Sequence, residues 1–175
     1  MTTKAARLAG ERLAEEFGSG AAAINVEDIA RQLGLEVVYD YLGPDVSGLL
    51  VTNDHGACIA VQDSDHPNRQ RFTIAHEVGH FVLRHQFQRG EHVHVDRGNF
   101  ISQRGPRAST GTDHMEIEAN QFAAGLLMPG RLLRRRVREL ARGGPLLDHL
   151  VRDLATEFGV SEQAMTIRLT TLGLL

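Results

Sequence analysis

The sequence has no tryptophan and only two tyrosines, so its core must be built from aliphatic side chains and a few phenylalanines. A single cysteine, Cys58, excludes an internal disulfide and fits a reducing cytoplasm. Lying in the apolar run Ala57–Val61, Cys58 reads as a buried strand residue rather than a nucleophile. No run of about 18 apolar residues is present and the start is not signal-like, so no membrane role is expected. Positive charge is not in excess. A net charge of −3 and a pI near 6.3 give no global drive towards nucleic acid or anionic lipid.

What is there suits one domain with a small appendage: 175 residues, 42% of them hydrophobic. The chain is organised around Arg71–Leu83, which contains His76-Glu77-Val78-Gly79-His80. Two histidines four residues apart on a helix lie about 40° apart around its axis, close enough to hold one metal ion. Neutral imidazoles suit zinc, and a catalytic zinc takes three protein ligands plus an open position. A glutamate beside the first histidine is the expected general base. His76 and His80 are therefore candidate ligands and Glu77 the candidate base.

With nine histidines in the chain, that pattern would arise by chance in roughly one such sequence in thirty. Context lifts it above chance. Phe72, Ala75, Gly79, Val82 and Leu83 form one apolar arc with the histidines at its edge, as in a helix that walls a cleft. Gly79 disfavours a helix interior and points to close backbone packing.

Around this helix the chain divides readily. Ala5–Phe17 reads as a helix ended by Gly18-Ser19-Gly20, and Val26–Leu33 as a second one stopped at Gly34. Leu35–Tyr41, Val46–Val51 and Ala57–Val61 read as strands, the last two joined by a tight turn at Asn53–Gly56 in which His55 is solvated. Asp63–Asn68 offers several N-caps for the metal helix. His92–Asp96 alternates and is best read as a half-buried edge strand, with a second metal site as the alternative. His85 lies too far round the helix from His80 to be a ligand and reads as a supporting residue. The fold expected is α+β, a small mixed or antiparallel sheet beside the metal helix with further helices at the C-terminus.

The third ligand must come from elsewhere, since Gln86 stands where a third histidine six residues on would be. Thr112–Met128 is the next strong helix, stopped by Pro129-Gly130. Glu116 lies about 60° from the centre of its apolar arc and Glu118 about 100°. On geometry the choice stays open between Glu116, Glu118 and the group His92, His94 and Asp96, and Glu116 could simply cap the helix with Asp113. Asn120 shares the face of Glu116 and could orient its carboxylate.

The segments NRQRFTIAHEVGHFVLRH and EIEANQFAAGLLMP resemble the ImmA/IrrE-type zinc metallopeptidases, and the likeness extends from about Asn25 to the end. The helical Glu-x-x-Ala-Asn of that family falls on Glu116–Asn120, so the resemblance selects Glu116 as the third ligand. It implies a thermolysin-like arrangement of small sheet and helices, one zinc ion per chain, and endopeptidase activity. It also implies a protein substrate, a helix-turn-helix repressor of phage, mobile-element or stress genes. A regulatory partner that binds a repressor or antitoxin-like protein without cutting it is the alternative, but such a partner has no use for Glu77. His92, His94, Arg97 and Tyr39 are the candidates for stabilising the oxyanion.

Arg131–Arg142 reads as a basic amphipathic helix with Leu132, Leu133, Val137 and Leu140 for burial and its arginines in solvent. Leu147–Phe158 and Ser161–Leu172 form a helix-turn-helix-like pair. Its second helix offers chiefly Gln163 and Arg168 for reading bases, too few to expect direct DNA binding. Residues 1–142 are thus expected to form the peptidase domain and 143–175 an appendage packed on it.

Overall fold

A proline and a histidine start the central helix. In the computed structural model, which describes residues 2–18, 20–53, 56–85, 93–96, 111–141 and 149–175, α3 spans Pro67–Val82. Pro67 occupies the first turn, where its missing N–H is no loss, and the Nδ1 of His66 accepts a hydrogen bond from the Asn68 amide at 3.1 Å. Every residue from Thr73 to His80 is buried. The expectation of one apolar arc is thus too narrow, because α3 is enclosed by the sheet and by α4 (Gly111–Leu127).

The elements that precede α3 are α1 (Thr3–Phe17), α2 (Val26–Gln32), β1 (Leu35–Asp40), β2 (Gly48–Asn53) and β3 (Gly56–Gln62); β4 (Val93–Asp96) follows it. The sheet is mixed, in the order β1-β3-β2-β4, with β1 parallel to β3 and β2 antiparallel to both β3 and β4. β2 begins two residues later than the periodicity implies and runs on through Thr52 and Asn53, because these polar residues pair with Ala57 and Gly56 in the hairpin. β4 is an edge strand, its Val95 40% exposed. His55, with the turn assigned to it, lies outside the described residues. The α+β class is as the sequence implies. Leu35, Leu50, Ile59 and Val61 from the sheet meet Ile74 and Val78 of α3, and the core continues through Phe122, Leu126 and Leu127 of α4.

Two glycines clamp α4 from behind. A Cβ on Gly10 of α1 would lie 2.2 Å from the Phe122 carbonyl oxygen, and one on Gly125 of α4 would lie 2.2 Å from that of Arg7. The two helices therefore touch backbone to backbone, which fixes the height of α4 over α3.

The remaining helices are α5 (Gly130–Ala141), α6 (Leu150–Phe158) and α7 (Glu162–Thr171). In α5, Leu133 and Val137 are buried as expected, but Leu140 is 38% exposed. Arg136 forks onto Glu157 of α6 at 2.7 and 3.1 Å. Ser161 caps α7 by accepting the Ala164 amide. Arg168 of α7 is buried, its guanidinium donating to the Met128 carbonyl at 2.9 Å and to Glu11 of α1 at 2.5 Å. It is a tie between three helices, unavailable to a DNA groove. From α3, Asn68 and Arg71 donate to the carbonyls of Val160 and Gly159, at 3.1 Å each.

Gly125→Ala tests the clamp. Alanine gains about 1 kcal/mol of helix propensity, but a methyl 2.2 Å from a backbone oxygen must push α1 away. Overpacking should win, with a net loss of about 2 kcal/mol in urea unfolding; a stabilised variant would disprove the close approach.

Candidate metal centre

One turn of α3 puts His76 above His80, with their Nε2 atoms 2.9 Å apart. Both are buried at the face that meets α4. Gly79 allows that meeting, since a Cβ there would be 3.0 Å from a ring carbon of Phe122 and 3.3 Å from the Ala119 backbone. From α4, Glu116 presents one carboxylate oxygen 3.3 Å from His76 Nε2 and the other 3.5 Å from His80 Nε2. Among the described residues, His76, His80 and Glu116 form a group whose ligand atoms all lie within 4.8 Å of one another.

The fit to zinc can be tested on these distances. A tetrahedral ion with bonds of about 2.0–2.1 Å holds its ligand atoms roughly 3.3 Å apart. The 2.9 Å between the two imidazole nitrogens and the 3.3 Å from His76 to one Glu116 oxygen lie close to that value, and the other oxygen lies 3.5 Å from His80. The donor chemistry also agrees, two imidazoles and a carboxylate. His76 Nδ1 lies 3.1 Å from the side-chain amide oxygen of Asn120, an acceptor, so in a ring carrying one proton that proton belongs on Nδ1 and the Nε2 lone pair faces Glu116. The sequence reading attached Asn120 to Glu116; the structure bonds its side chain to His76.

His85 closes the back of the site. Its Nδ1 is 2.9 Å from His80 Nδ1 and its Nε2 is 3.2 Å from Glu118 Oε2. The chain returns to His80 because α3 ends in a Schellman motif. Arg84 takes a left-handed conformation at φ 55°, its amide bonds to the Phe81 carbonyl, and that of His85 bonds to the His80 carbonyl. Burial pushes the His85 pKa down, and the bond to Glu118 offsets this only in part. Glu118 is more buried than Glu116, the reverse of the helical-wheel ranking, because His85 covers it.

Glu77 is fully buried on the side of α3 that faces β2, with Oε1 3.6 Å from the point where a Cβ on Gly48 would lie. That Cβ would also come within 2.3 Å of Thr73 Cγ2. Gly48 is therefore what lets β2 lie against the turn that carries Glu77. The sequence reading passed over it, although a glycine inside a strand pattern is the signal for such an approach.

The other candidates fall elsewhere. Tyr39 donates to Glu27 of α2 at 2.5 Å, and burial with that bond raises its pKa to about 12, so it is engaged on β1. Cys58 is half-buried on β3 rather than fully buried, with its thiol pKa pushed up by burial. His92 and Arg97 lie outside the described residues, as do the side chains of His94, Asp96 and Asp113. Backbone pairing sets His94 opposite Leu50.

Fold and cluster together are of the zinc-metallopeptidase type. The family model described as the IrrE N-terminal-like domain, peptidase family M78, matches residues 30–170, and the chain belongs to that family. Among solved structures, a Mycobacterium tuberculosis transcriptional regulator matches with a TM-score of 0.62 and 24% identity over 95% of this chain. That likeness is one of fold, and this chain spans only 46% of that protein. No curated protein matches. No described helix is long and apolar enough to cross a membrane.

Arg84→Gly checks the Schellman turn. An exposed L-residue in the left-handed region carries strain that glycine does not. The variant should be more stable by up to about 1 kcal/mol, a rise of a few degrees in Tm. A fall of the same size would mean that the arginine side chain itself holds the turn.

Proposed function

We propose that the chain is a zinc-dependent endopeptidase that cleaves a helix-turn-helix transcriptional repressor in the cytoplasm. The observation that carries this reading is the convergence of His76, His80 and Glu116 at one buried point, with Glu77 on the turn between the histidines. Membership of a metallopeptidase family supports the reaction class. The repressor rests on the resemblance in sequence, and a structural neighbour that is itself a transcriptional regulator is in keeping with it.

His76, His80 and Glu116 would hold the ion, and Asn120 would keep the Nε2 of His76 directed at it. Bound zinc supplies a Lewis acid that polarises the scissile carbonyl and acidifies water. Glu77 takes a proton from the attacking water onto its carboxylate and passes it to the nitrogen of the departing amine, so that the C–N bond breaks without expelling an amide anion. The peptide adds to the sheet at β4, whose partner strand begins at Gly48, beside the Glu77 carboxylate. Residues 1–142 act as the peptidase domain and 143–175 as a helical appendage, in keeping with the ties that Asn68, Arg71 and Arg136 make to it.

Purified protein should carry about one zinc per chain by metal analysis, and His76→Ala or His80→Ala should lose it. Glu116→Ala should bind markedly less. Full metal retention in either histidine variant would sink the site.

Glu77→Gln keeps shape and should keep zinc, but its amide accepts no proton at neutral pH. Cleavage of the repressor encoded beside this gene, followed by mass spectrometry, should fall by about 10² or more while binding survives. Equal cleavage by both forms would remove Glu77 from the mechanism. Tight binding of that repressor by the zinc-loaded wild type, without cleavage, would leave a partner that only binds.

A further inference from the structure

We propose that the groove between the end of α1 and the start of α5 is a docking site for an acidic peptide segment of a partner protein. The inference goes beyond the zinc reading and does not depend on it. The groove begins at Pro129, past the end of α4, whereas Glu116 stands near the start of that helix, and the two sites share no residue.

The groove has a volume of about 530 Å³. Its apolar lining comes from Ala14 of α1 and from Ile24, Pro129 and Leu132. Its charge is nearly all of one sign. Arg131, Arg135 and Arg138 line it from α5, and Glu15 is the only carboxylate among the described lining residues. Spacings of four and three residues put the three guanidiniums on one face of α5, strung over about 10 Å of helix. Arg135 and Arg138 are not used to hold the fold. Arg135 meets Glu139 only at 3.9 Å, with both side chains exposed, and Arg138 donates to the Arg134 carbonyl of its own helix at 3.1 Å. The arginine of α5 that ties it to the rest of the chain is Arg136, on another side of the helix, through Glu157.

The occupant follows from sign, spacing and lining taken together. Guanidiniums spaced along a helix suit successive carboxylates, each gripped by two parallel hydrogen bonds. The apolar lining beside them suits an apolar side chain of the same segment. Nucleic acid fits less well, because three cations neutralise few phosphates and a net charge of −3 gives no long-range attraction. A lipid surface fits no better. It would need the apolar face of α5, and Leu133 and Val137 of that face are already buried. A small anion wants donors that converge on one point, and these do not. On the α1 side Gly18 and Gly20 add no side chains, and a Cβ on Gly20 would meet nothing within 4 Å. A chain can therefore run out of the groove at that end.

The test uses the full chain and two fluorescein-labelled probe peptides. In one, pairs of glutamates alternate with pairs of leucines; in the other, glutamine replaces every glutamate. Fluorescence anisotropy should show the acidic peptide binding about tenfold more tightly than the neutral one, in EDTA as well as in Zn2+. Arg131→Glu and Arg135→Glu should each weaken that binding about 3- to 10-fold and flatten its dependence on salt. Arg152→Glu, an equal change of net charge at an exposed position on α6, should leave it unaltered. Arg131 stands in the first turn of α5, where a glutamate suits the helix dipole, and Arg135 is exposed, so melting curves of both variants should match the wild type. Should either be unfolded, Ala21→Glu, at an exposed position in the groove, supplies the same test. Equal affinity for the two peptides, or undiminished binding of the acidic one by the folded groove variants, would overturn the proposal. So would a single-stranded oligonucleotide that bound more tightly than the acidic peptide and was lost in the same variants. Peptide binding by a wild type that takes up no zinc would uphold the groove and overturn the metal reading alone.

Discussion

Three electron-rich atoms brought together in a buried place repel one another, and the rest of the structure must hold them there. The Nε2 atoms of His76 and His80 and the carboxylate of Glu116 occupy that position, on two helices that are far apart in sequence. Nothing in helix propensity favours it. It depends on α3 and α4 approaching closely, and the approach depends on Gly79, where even a methyl would press on Phe122 and Ala119. Behind α4, the Gly10 and Gly125 contacts with α1 prevent it from relaxing outward. The cluster is thus the inner layer of a stack of three helices, each interface closed by a glycine.

Such a stack explains why α3 can bury Thr73, His76, Glu77 and His80 in succession with Ile74, Ala75 and Val78. Buried polar groups are tolerated when they are bonded, and each described histidine of this group has a defined partner on the side away from the centre. On the opposite side of α3, Gly48 lets β2 close over Glu77. A carboxylate held between a helix and a strand is shielded from bulk water yet lies beside the rung where β2 pairs with β4. Polar burial of this kind violates the pattern of an ordinary core helix, and such violations are expected at functional sites.

The elements with strong local signals were legible. The Gly34 and Gly18 stops, the Pro-started α3 and the capped α7 follow from turn and capping chemistry, and the α+β class from three short strands beside helices. What was not legible came from contacts between elements. A helical wheel ranks Glu116 as more inward than Glu118, but His85, folded back by the Schellman turn, buries Glu118 more deeply. Asn120 meets His76 of the neighbouring helix, a contact between elements that the wheel of a single helix cannot express. Arg168 counts as a DNA-reading side chain when α7 is considered alone, whereas the tertiary structure ties it to Met128 and Glu11.

Arg168 also shows how the periphery serves the centre. A guanidinium 3% exposed is held by a carbonyl at the end of α4 and a carboxylate on α1, the two helices that the glycine contacts join. Burial pushes its pKa down and Glu11 opposes that, so the buried guanidinium keeps its partner carboxylate only while α1, α4 and α7 stay together. Loosening α7 would leave Glu11 and Arg168 unmatched and would free α1 to move off α4. The C-terminal helices, which carry no candidate ligand, therefore bear on the geometry of the metal centre through α4. The ties through Arg168 and Arg136 thus connect α6 and α7 to the helices on which the candidate ligands stand.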